Sequence, residues 1–313
     1  MFSILRDSWK APDIPQNIGH GDMPGDKIQI SGEHIAKAGI LFPPLKEMIA
    51  DCLEQNPHSK AVLSVHGGSG VGKSEIASVL AFYLNQLGIG AYILSGDNYP
   101  RRIPRDNDLE RQRVYRTGGI RGVMAEGMYD AEVAVKLKEL WEKETDTSPA
   151  EAEVLPWLKK YQQAGRLALT DYLGTPKEID FQEINGIIAS FKTGADSIFL
   201  KRMGRDVDAL WYDRVSFTDI PVLIVEWTHG NSDYLCGVDI PILLNSTPAE
   251  TLAHRRARNR DGKPDSFFTT MVLQIEQKKL EEQAGKAKII LSKSGELLPF
   301  QEYRRLMAEE DAL

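Results

Sequence analysis

The chain has 313 residues, of which 42% are hydrophobic and 27% are charged. This composition excludes a disordered or collagen-like chain and is typical of a globular protein with one large domain or two small ones. The formal net charge of −7 argues against a general nucleic-acid binder, which needs a basic surface, and favours a small-molecule partner.

The sequence gives no sign of membrane insertion or export. Apolar runs such as AVLSV and VLIVE are far shorter than the roughly 18 residues that a membrane span needs. Arg6, Asp7 and Lys10 fall where a secretory signal would need an apolar core of about 7 to 15 residues. Cys52 and Cys236 lack the spacing of a metal site or disulfide framework, so both are expected to be reduced. We therefore expect a cytoplasmic protein without membrane contact.

The first 58 residues are predicted to form an N-terminal extension. Their second half contains apolar residues at helical spacing, which predicts an amphipathic helix. These residues are Leu45, Met48, Ile49 and Leu53. Residues 59–313 are predicted to form the main domain.

Five short apolar runs, bounded by Gly, Pro, Asp or Asn, are typical of β-strands. They occupy residues 61–65, 91–95, 222–226, 240–244 and 289–292. They lack clean alternation of apolar and polar residues, and helical patterns separate several of them. This combination predicts an α/β fold with a parallel five-stranded sheet covered by helices on both faces. Residues 130–166 interrupt the pattern and are predicted to be a helical insertion whose apolar stripe must be buried.

Residues 67–74, GGSGVGKS, match the phosphate-binding loop pattern G-x-x-x-x-G-K-[ST] in full. The first predicted strand precedes the loop and a helical pattern follows it, which is the context that the motif requires. Its glycines let successive N–H groups point at a phosphate, and the following helix adds the positive end of its dipole. The predicted nucleotide-binding residues are Gly68, Ser69, Gly70, Val71, Gly72, Lys73 and Ser74. Lys73 would reach the β- and γ-phosphates of ATP, and the Ser74 hydroxyl would bind Mg²⁺.

The chain lacks the N-K-x-D box that reads guanine, which disfavours a GTPase. Instead, the strand at 91–95 is followed by Asp97 and Tyr99, which should lie at the same edge of the sheet as the phosphate loop. The segment resembles the S-x-D-x-[FY] element of the uridine kinase and phosphoribulokinase family of P-loop small-molecule kinases. The resemblance implies that Asp97 accepts the proton of the acceptor hydroxyl and that Tyr99 contacts the acceptor. A capping role for Asp97 after the strand is the alternative.

Further segments resemble this family in the same order along the chain. Residues 180–181, 186–194 and 222–226 are similar to its D-F, L…L…G and V-I-I-V-E-G elements. The resemblance implies that Glu226 is the acidic residue beside the metal. Trp227 replaces the family's glycine after this glutamate, and His229 and Asn231 are possible substrate contacts beyond it.

The segment at 238–245 and the basic run that follows resemble the family's next strand and its lid, predicted at about 254–266. The run contains four arginines: Arg255, Arg256, Arg258 and Arg260. The resemblance implies that Arg256 and Arg260 act on the transferred phosphate and that Arg256 also binds ATP. A solvated helix face is the alternative. The resemblance covers about residues 60–100 and 175–293.

Seven arginines between residues 101 and 121 stand against three acidic residues. They are Arg101, Arg102, Arg105, Arg111, Arg113, Arg116 and Arg121. The excess of positive charge favours an anionic acceptor, with Arg101 and Arg116 as candidate contacts. A solvated, charge-mixed helix packing through Leu109 and Val114 is the alternative.

The sequence thus predicts an ATP- and Mg²⁺-dependent kinase that phosphorylates a hydroxyl of a nucleoside, a sugar or polyol, or a sugar phosphate. An adenylylsulfate-kinase-like or nucleoside-monophosphate-kinase-like enzyme is the nearest alternative. A protein that uses ATP only to order its helical insertion is an alternative from another class. The insertion is expected to lie beside the acceptor site, where it covers the site or pairs two subunits in a homodimer; packing against its own domain is the other possibility.

Overall fold

The computed structural model describes residues 2–15, 17–204, 206, 209–247, 250–252 and 266–310. Seven strands lie within these ranges. They are β1 (Ala61–Gly67), β2 (Ala91–Ser95), β3 (Ser197–Met203), β4 (Leu210–Ser216), β5 (Val222–Glu226), β6 (Ile240–Leu244) and β7 (Ile289–Leu291). Five of them form a parallel sheet in the order β2-β5-β1-β6-β7. The predicted α/β fold with a five-stranded parallel sheet is therefore confirmed.

The helices in these ranges cover both faces of the sheet and extend beyond its carboxyl edge. They are α1 (Gly32–Gln55), α2 (Lys73–Gln86), α3 (Pro104–Ala125), α4 (Ala131–Glu142), α5 (Pro149–Val154), α6 (Pro156–Thr170), α7 (Phe181–Lys192), α8 (Phe267–Gln283) and α9 (Phe300–Glu310). No helix in the described parts of the chain is long and apolar enough to cross a membrane.

The N-terminal segment packs on the main sheet. Helix α1 begins at its N-cap Ser31, whose hydroxyl accepts a hydrogen bond from the N–H of His34. Its apolar face, with Leu41, Phe42, Leu45, Ile49 and Leu53 fully buried, joins one hydrophobic cluster with α2 and the sheet. Residues 1–58 thus bury apolar area in the same core as the phosphate loop, although they lie outside the region of family resemblance.

Strands β3 and β4 form a two-stranded antiparallel hairpin that the sequence did not predict. The β4 strand is mostly exposed, and β3 buries the charged side chains of Lys201 and Arg202. Because Lys201 and Arg202 are adjacent, β3 lacks the continuous apolar run by which the other strands were predicted. Met203 at the end of β3 donates its N–H to Asn98 Oδ1 at 3.0 Å, which ties the hairpin to the turn after β2.

Helices α3 to α6, together with α8, form a helical unit around their own hydrophobic cluster. Helix α3 packs closely on α6: a Cβ added to Gly118 would lie 2.3 Å from the Cβ of Ala168, and one added to Gly122 would lie 2.2 Å from that of Ala164. The predicted apolar stripe of the insertion is buried in this cluster: Val133, Leu137, Leu140 and, in part, Trp141. The stripe is therefore covered within the chain.

Candidate active site

The phosphate loop joins β1 to α2 at the carboxyl edge of the sheet. Gly70 and Gly72 have φ values of 80° and 94°, which residues other than glycine rarely adopt. A Cβ at Gly67 would lie 2.4 Å from the carbonyl oxygen of Leu244. Helix α2 begins at Lys73, so its N-terminal dipole points at the phosphate position. The predicted residues Gly68 to Ser74 all lie in this loop or in the first turn of α2.

Lys73 is half-buried, and its Nζ donates a hydrogen bond to the carbonyl oxygen of Gly68 at 3.1 Å. The ammonium thus lies against the backbone of the phosphate loop. A bound triphosphate would supply stronger anionic acceptors than this carbonyl, because hydrogen bonds between ionised groups are shorter and stronger.

Glu226 ends β5, next to β1, and its carboxylate is buried beside the phosphate loop. Burial raises the pKa of Glu226 to about 7; nearby Lys73 and the Ser74 hydrogen bond lower this pKa, whereas Asp97 and Asp26 raise it. Glu226 therefore lies close to Lys73 and to the Ser74 hydroxyl, within electrostatic range of two further carboxylates. A divalent cation would relieve the repulsion among these carboxylates.

The donor set fits Mg²⁺ of the kind that arrives with ATP. Among the described residues, no three His, Cys, Asp or Glu side chains could hold a metal ion by themselves. Mg²⁺ usually needs only one or two protein carboxylates, because phosphates and waters supply its other ligands. Ser74 and Glu226 would provide the protein side of such a site.

The carboxamide Glu226→Gln tests this assignment in two ways. We expect a higher Mg²⁺ requirement for turnover, because the negative charge beside the metal is lost. We also expect the ligand-free protein to gain a few degrees in melting temperature above pH 7. The carboxyl's pKa is raised by folding from 4.5 to about 7, so its ionised form destabilises the fold increasingly as pH rises through this window.

Mg²⁺ titrations and melting curves at pH 5 and pH 8 measure both effects. The stability gain should vanish at pH 5, where the native carboxyl is protonated. An unchanged Mg²⁺ titration would remove Glu226 from the metal's surroundings.

Asp97 lies on a 3₁₀ turn (Gly96–Asn98) directly after β2, the strand that pairs with β5. Its side chain is exposed at the carboxyl edge of the sheet, and its charge is close enough to raise the pKa of Glu226. Tyr99, in contrast, is fully buried in a second hydrophobic cluster with Phe181 and Trp227. The structure therefore places Asp97 at the phosphate site and Tyr99 in the core beneath it.

Trp227 packs on the backbone of the Asp97 turn. A Cβ added to Gly96 would lie 2.0 Å from Cγ of Trp227, so the indole occupies the space that a side chain at this position would need. The indole is 2% exposed, and its ring centroid lies 5.3 Å from that of His229. Gly96 and Trp227 are thus complementary in shape.

Gly96→Ala should displace this contact. We expect turnover to fall at least about tenfold, because small misplacements of reacting groups cost large factors in rate, while ATP affinity at the separate phosphate loop is kept. Gly186→Ala in α7 is the matched control, since a Cβ there meets nothing within 4 Å and alanine favours the helix. Steady-state kinetics and ATP titration of both variants are the measurements. If Gly96→Ala and Gly186→Ala have equal turnover, the contact does not position Asp97.

His229 packs against the bend at Gly174, where a Cβ would lie 2.8 Å from Cε1 of the imidazole. Burial lowers the pKa of His229 to about 4, although nearby Glu178 raises it. Its ring is therefore neutral at pH 7 and can donate or accept a hydrogen bond. Asn231, two residues further on, donates a hydrogen bond from Nδ2 to the carbonyl oxygen of Gln283 at 2.7 Å. This bond links the segment after β5 to the end of α8.

Glu178 was missed by sequence reasoning, yet it is a central carboxylate beside His229. It is 1% exposed and accepts hydrogen bonds from Arg111 Nε at 2.7 Å, Asn107 Nδ2 at 2.9 Å and the N–H of Gly174 at 2.7 Å. Burial alone would raise the pKa of Glu178, but Arg111 and the other donors hold it below its ordinary value. A lone glutamate in the segment TPKEIDF has no local signal that could have revealed this network.

Six of the seven arginines between residues 101 and 121 form salt bridges. The pairs are Arg101–Asp180, Arg102–Glu110, Arg105–Asp106, Arg111–Glu178, Arg113–Glu110 and Arg116–Asp146. Arg116 also stacks on Trp141 at 5.3 Å, inside the helical unit. Arg101 is 43% exposed on the side chain and also donates to the carbonyl oxygen of Pro176. Leu109, expected to pack, is 59% exposed, whereas Val114 does pack against the helical cluster.

The predicted lid at 254–266 lies outside the described residues, except for Ser266 at the N-cap of α8. Its four arginines, including Arg256 and Arg260, are among the residues that the structure does not describe. Close to where the lid would begin, Ser246, Thr247 and Thr251 line a small cleft with Gly68, Ser69, Glu276 and Gln277.

The chain resembles known kinases in sequence. It is 36% identical over 287 residues to the bifunctional alpha-galactosidase/sucrose kinase AgaSK of Mediterraneibacter gnavus, a match that covers 85% of this chain and 26% of that protein. Over 73 residues it is 37% identical to an adenylyl-sulfate kinase of Erwinia tasmaniensis, covering 22% of this chain and 36% of the relative. The chain therefore spans about a quarter to a third of the length of these curated relatives.

Among solved structures, a possible uridine kinase from Bacillus stearothermophilus aligns with a TM-score of 0.42 and 12% identity, over 79% of this chain and 98% of that one. No protein-family model matches the chain. Both curated relatives are named as kinases, and the parallel sheet carries a complete phosphate loop. The predicted resemblance to the P-loop small-molecule kinases is thereby confirmed.

Proposed function

We propose that this protein is an ATP- and Mg²⁺-dependent kinase that transfers the γ-phosphate to a hydroxyl group of a neutral sugar. The observation that carries the proposal is the meeting of three strand ends. The phosphate loop follows β1, Glu226 ends the adjacent β5, and Asp97 follows β2 on the other side of β5. Phosphoryl transfer to an alcohol needs these groups: a phosphate cradle, a metal ligand and a base for the hydroxyl.

The roles follow from position and charge. Lys73 neutralises the β- and γ-phosphates, and the N–H groups of residues 68–74 bind their oxygens. When bound, Mg²⁺ neutralises charge on the phosphates, with Ser74 and Glu226 as its protein ligands. Asp97 takes the proton of the acceptor hydroxyl; the exposure of its carboxylate and its electrostatic effect on Glu226 support this role. Arg256 and Arg260 remain proposed lid residues.

The charge balance of the acceptor side favours a neutral acceptor over an anionic one. The arginines that suggested an anion are largely compensated, and the best buried of them, Arg111, pairs with Glu178 at 2.7 Å and lies 3.7 Å from Glu276. An anion there would have to compete with carboxylates that are already in place. The neutral His229, which can donate or accept a hydrogen bond, instead suits hydroxyl groups, which also do both.

The relative that matches most of this chain is named in part as a sucrose kinase. Because this chain contains a phosphate loop, we assign the matched region to the kinase activity in that name. A disaccharide or a related sugar is therefore the first acceptor to test. The match to an adenylyl-sulfate kinase covers only 22% of this chain and supports the phosphate-binding half of the fold without favouring that acceptor.

The test is ATP consumption with and without a panel of acceptors: neutral mono- and disaccharides, nucleosides, sugar phosphates, adenylyl sulfate and nucleoside monophosphates. We expect acceptor-dependent turnover with one or more neutral sugars, with a phosphosugar as the product by mass spectrometry. Turnover only with an anionic acceptor would overturn the acceptor class. Slow hydrolysis that no acceptor accelerates would overturn the kinase and favour the ATP-gated alternative.

A further inference from the structure

Asp22 belongs to the N-terminal segment before α1, and its side chain is only 8% exposed. Its carboxylate reaches the carboxyl end of β2. Residues 19–22 thereby lie beside the edge strand β2, where Gly19, His20 and Asp22 line a pocket with Ala91, Tyr92 and Ile93. A buried carboxylate is unfavourable unless it is paired and hydrogen-bonded, so its partners show what it does.

The partners of Asp22 lie on both sides of Asp97. Its Oδ1 accepts hydrogen bonds from the N–H of Ser95 at 2.8 Å and from Nδ2 of Asn98 at 3.0 Å. Asn98 is fully buried, and its Oδ1 accepts the N–H of Met203 at the end of β3. One carboxylate oxygen thus joins Ser95, just before the Gly96–Asn98 turn, to Asn98 at the end of the turn, and Met203 of the hairpin donates its N–H to the same asparagine.

The second oxygen of Asp22 anchors the carboxylate itself. Oδ2 accepts from Arg202 Nη1 at 2.8 Å and from the Tyr92 hydroxyl at 3.0 Å. Arg202, also 8% exposed, donates further to Tyr92 and to Asp213. The members of this network come from the edge strand β2, the turn that follows it, the hairpin and the N-terminal segment.

We propose that Asp22 is a positioning residue for Asp97, so that the N-terminal segment is a working part of the phosphoryl-transfer site. The inference rests on the proposed function of Asp97. Asp22 fixes the turn on which the Asp97 carboxylate stands and so sets the distance between that carboxylate and the γ-phosphate side of the site. It contributes to the rate of transfer without touching the reacting atoms.

Two neighbours in sequence support this placement. Asp26, four residues further on, lies close enough to Glu226 to raise the pKa of that carboxyl. His34, in the first turn of α1, lies against the phosphate loop: a Cβ at Gly72 would be 2.8 Å from its Nε2. The segment from Asp22 to His34 therefore runs beside the site, from the turn that carries Asp97 to the phosphate loop.

The test is Asp22→Asn, which keeps the shape of the side chain and removes its charge. Asp239→Asn is the matched control. Asp239 also accepts a backbone N–H, from Val62 at 2.8 Å, and pairs with a cation, Lys192, but it precedes β6 at the opposite edge of the sheet. We expect kcat of Asp22→Asn to fall about 10- to 100-fold with the KM for ATP unchanged, and kcat of the control to stay within about twofold of the wild type.

A double variant separates positioning from general destabilisation. In an Asp97→Asn background, Asp22→Asn should lower kcat by less than about twofold more, because the group that it positions is already gone. If the two losses instead multiply, Asp22 acts by another route and the proposal is overturned. A kcat of Asp22→Asn equal to that of the wild type overturns it as well.

Hydrogen exchange of the ligand-free protein provides a readout that does not depend on catalysis. The amides of Ser95 and Met203 should exchange at least about tenfold faster in Asp22→Asn than in the wild type, and at the wild-type rate in Asp239→Asn. If Asp22→Asn does not fold, Asn98→Ala removes the bond from the turn to Asp22 and leaves the bond from Ser95 and the Asp22–Arg202 pair in place; kcat should again fall about 10- to 100-fold, and a wild-type kcat would overturn the proposal. Wild-type protein that phosphorylates no acceptor would overturn the proposed function, whereas unchanged exchange would overturn the role of Asp22 in the turn.

Discussion

Lys73→Ala is expected to abolish acceptor phosphorylation and to leave the fold intact. The Lys73 ammonium is the cation that lies among Glu226, Ser74 and the phosphate loop, and it contacts the loop through the carbonyl oxygen of Gly68 at 3.1 Å. Removing one group that stabilises charge in a transition state typically costs on the order of 10² to 10³ in rate. A loss of at least this size is therefore expected in kcat.

The fold should tolerate the change, because Lys73 is half-buried at the first position of α2 and alanine is a strong helix former. Lys192→Ala is the matched control: its ammonium also bonds a backbone carbonyl, that of Gly237, but at the other edge of the sheet. Circular dichroism, melting temperature and turnover of the two variants are the measurements. Normal turnover in Lys73→Ala would contradict the assignment of residues 67–74 to the γ-phosphate.

The phosphate loop could be predicted because its function resides in a short, continuous stretch of backbone. Glycines at positions of positive φ and a lysine at the start of a helix are local properties, and the sequence displays them directly. Asp97 and Glu226 could be placed beside the loop for a different reason. Each follows or ends an apolar strand, and parallel strands bring their carboxyl ends to one edge.

The network around Asp22 could not be predicted, because its members are far apart in sequence and of ordinary type. Asp22 and Arg202 are separated by 180 residues, and neither belongs to a motif. Their hydrogen bonds exist only once the hairpin and the N-terminal segment have packed on the same edge strand. The hairpin was missed because its inner strand buries Lys201 and Arg202, so it lacks the apolar run that marks the other strands.

The arginines of residues 101–121 show a second limit of sequence reasoning. A count of charges finds seven arginines against three acidic residues in this segment, but the partners of three of these arginines come from elsewhere in the chain. Glu178, Asp180 and Asp146 approach from later segments and pair with Arg111, Arg101 and Arg116. The local excess is therefore reduced in the folded protein, and with it the argument for an anionic acceptor.

Asp97→Asn should lower transfer at least about a hundredfold and preserve ATP affinity. The amide keeps nearly the same shape on the Gly96–Asn98 turn but removes the basic oxygen, and general-base catalysis typically contributes on the order of 10² to 10⁴ in rate. Lys73 and Ser74, which bind the phosphates and the metal, are unchanged. The neighbouring Glu226 should titrate at lower pH, because Asp97 is one of the charges that raise its pKa.

The measurements are ATP affinity by calorimetry and turnover with the acceptor that the panel identifies. Asp219→Asn is the matched control, since this aspartate is also exposed on a turn but precedes β5 at the amino edge of the sheet. A loss of ATP binding in Asp97→Asn would indicate a role in holding the metal or the fold, because the base acts only on the acceptor. Turnover close to that of the wild type would defeat the mechanism, even if the phosphate loop binds ATP as proposed.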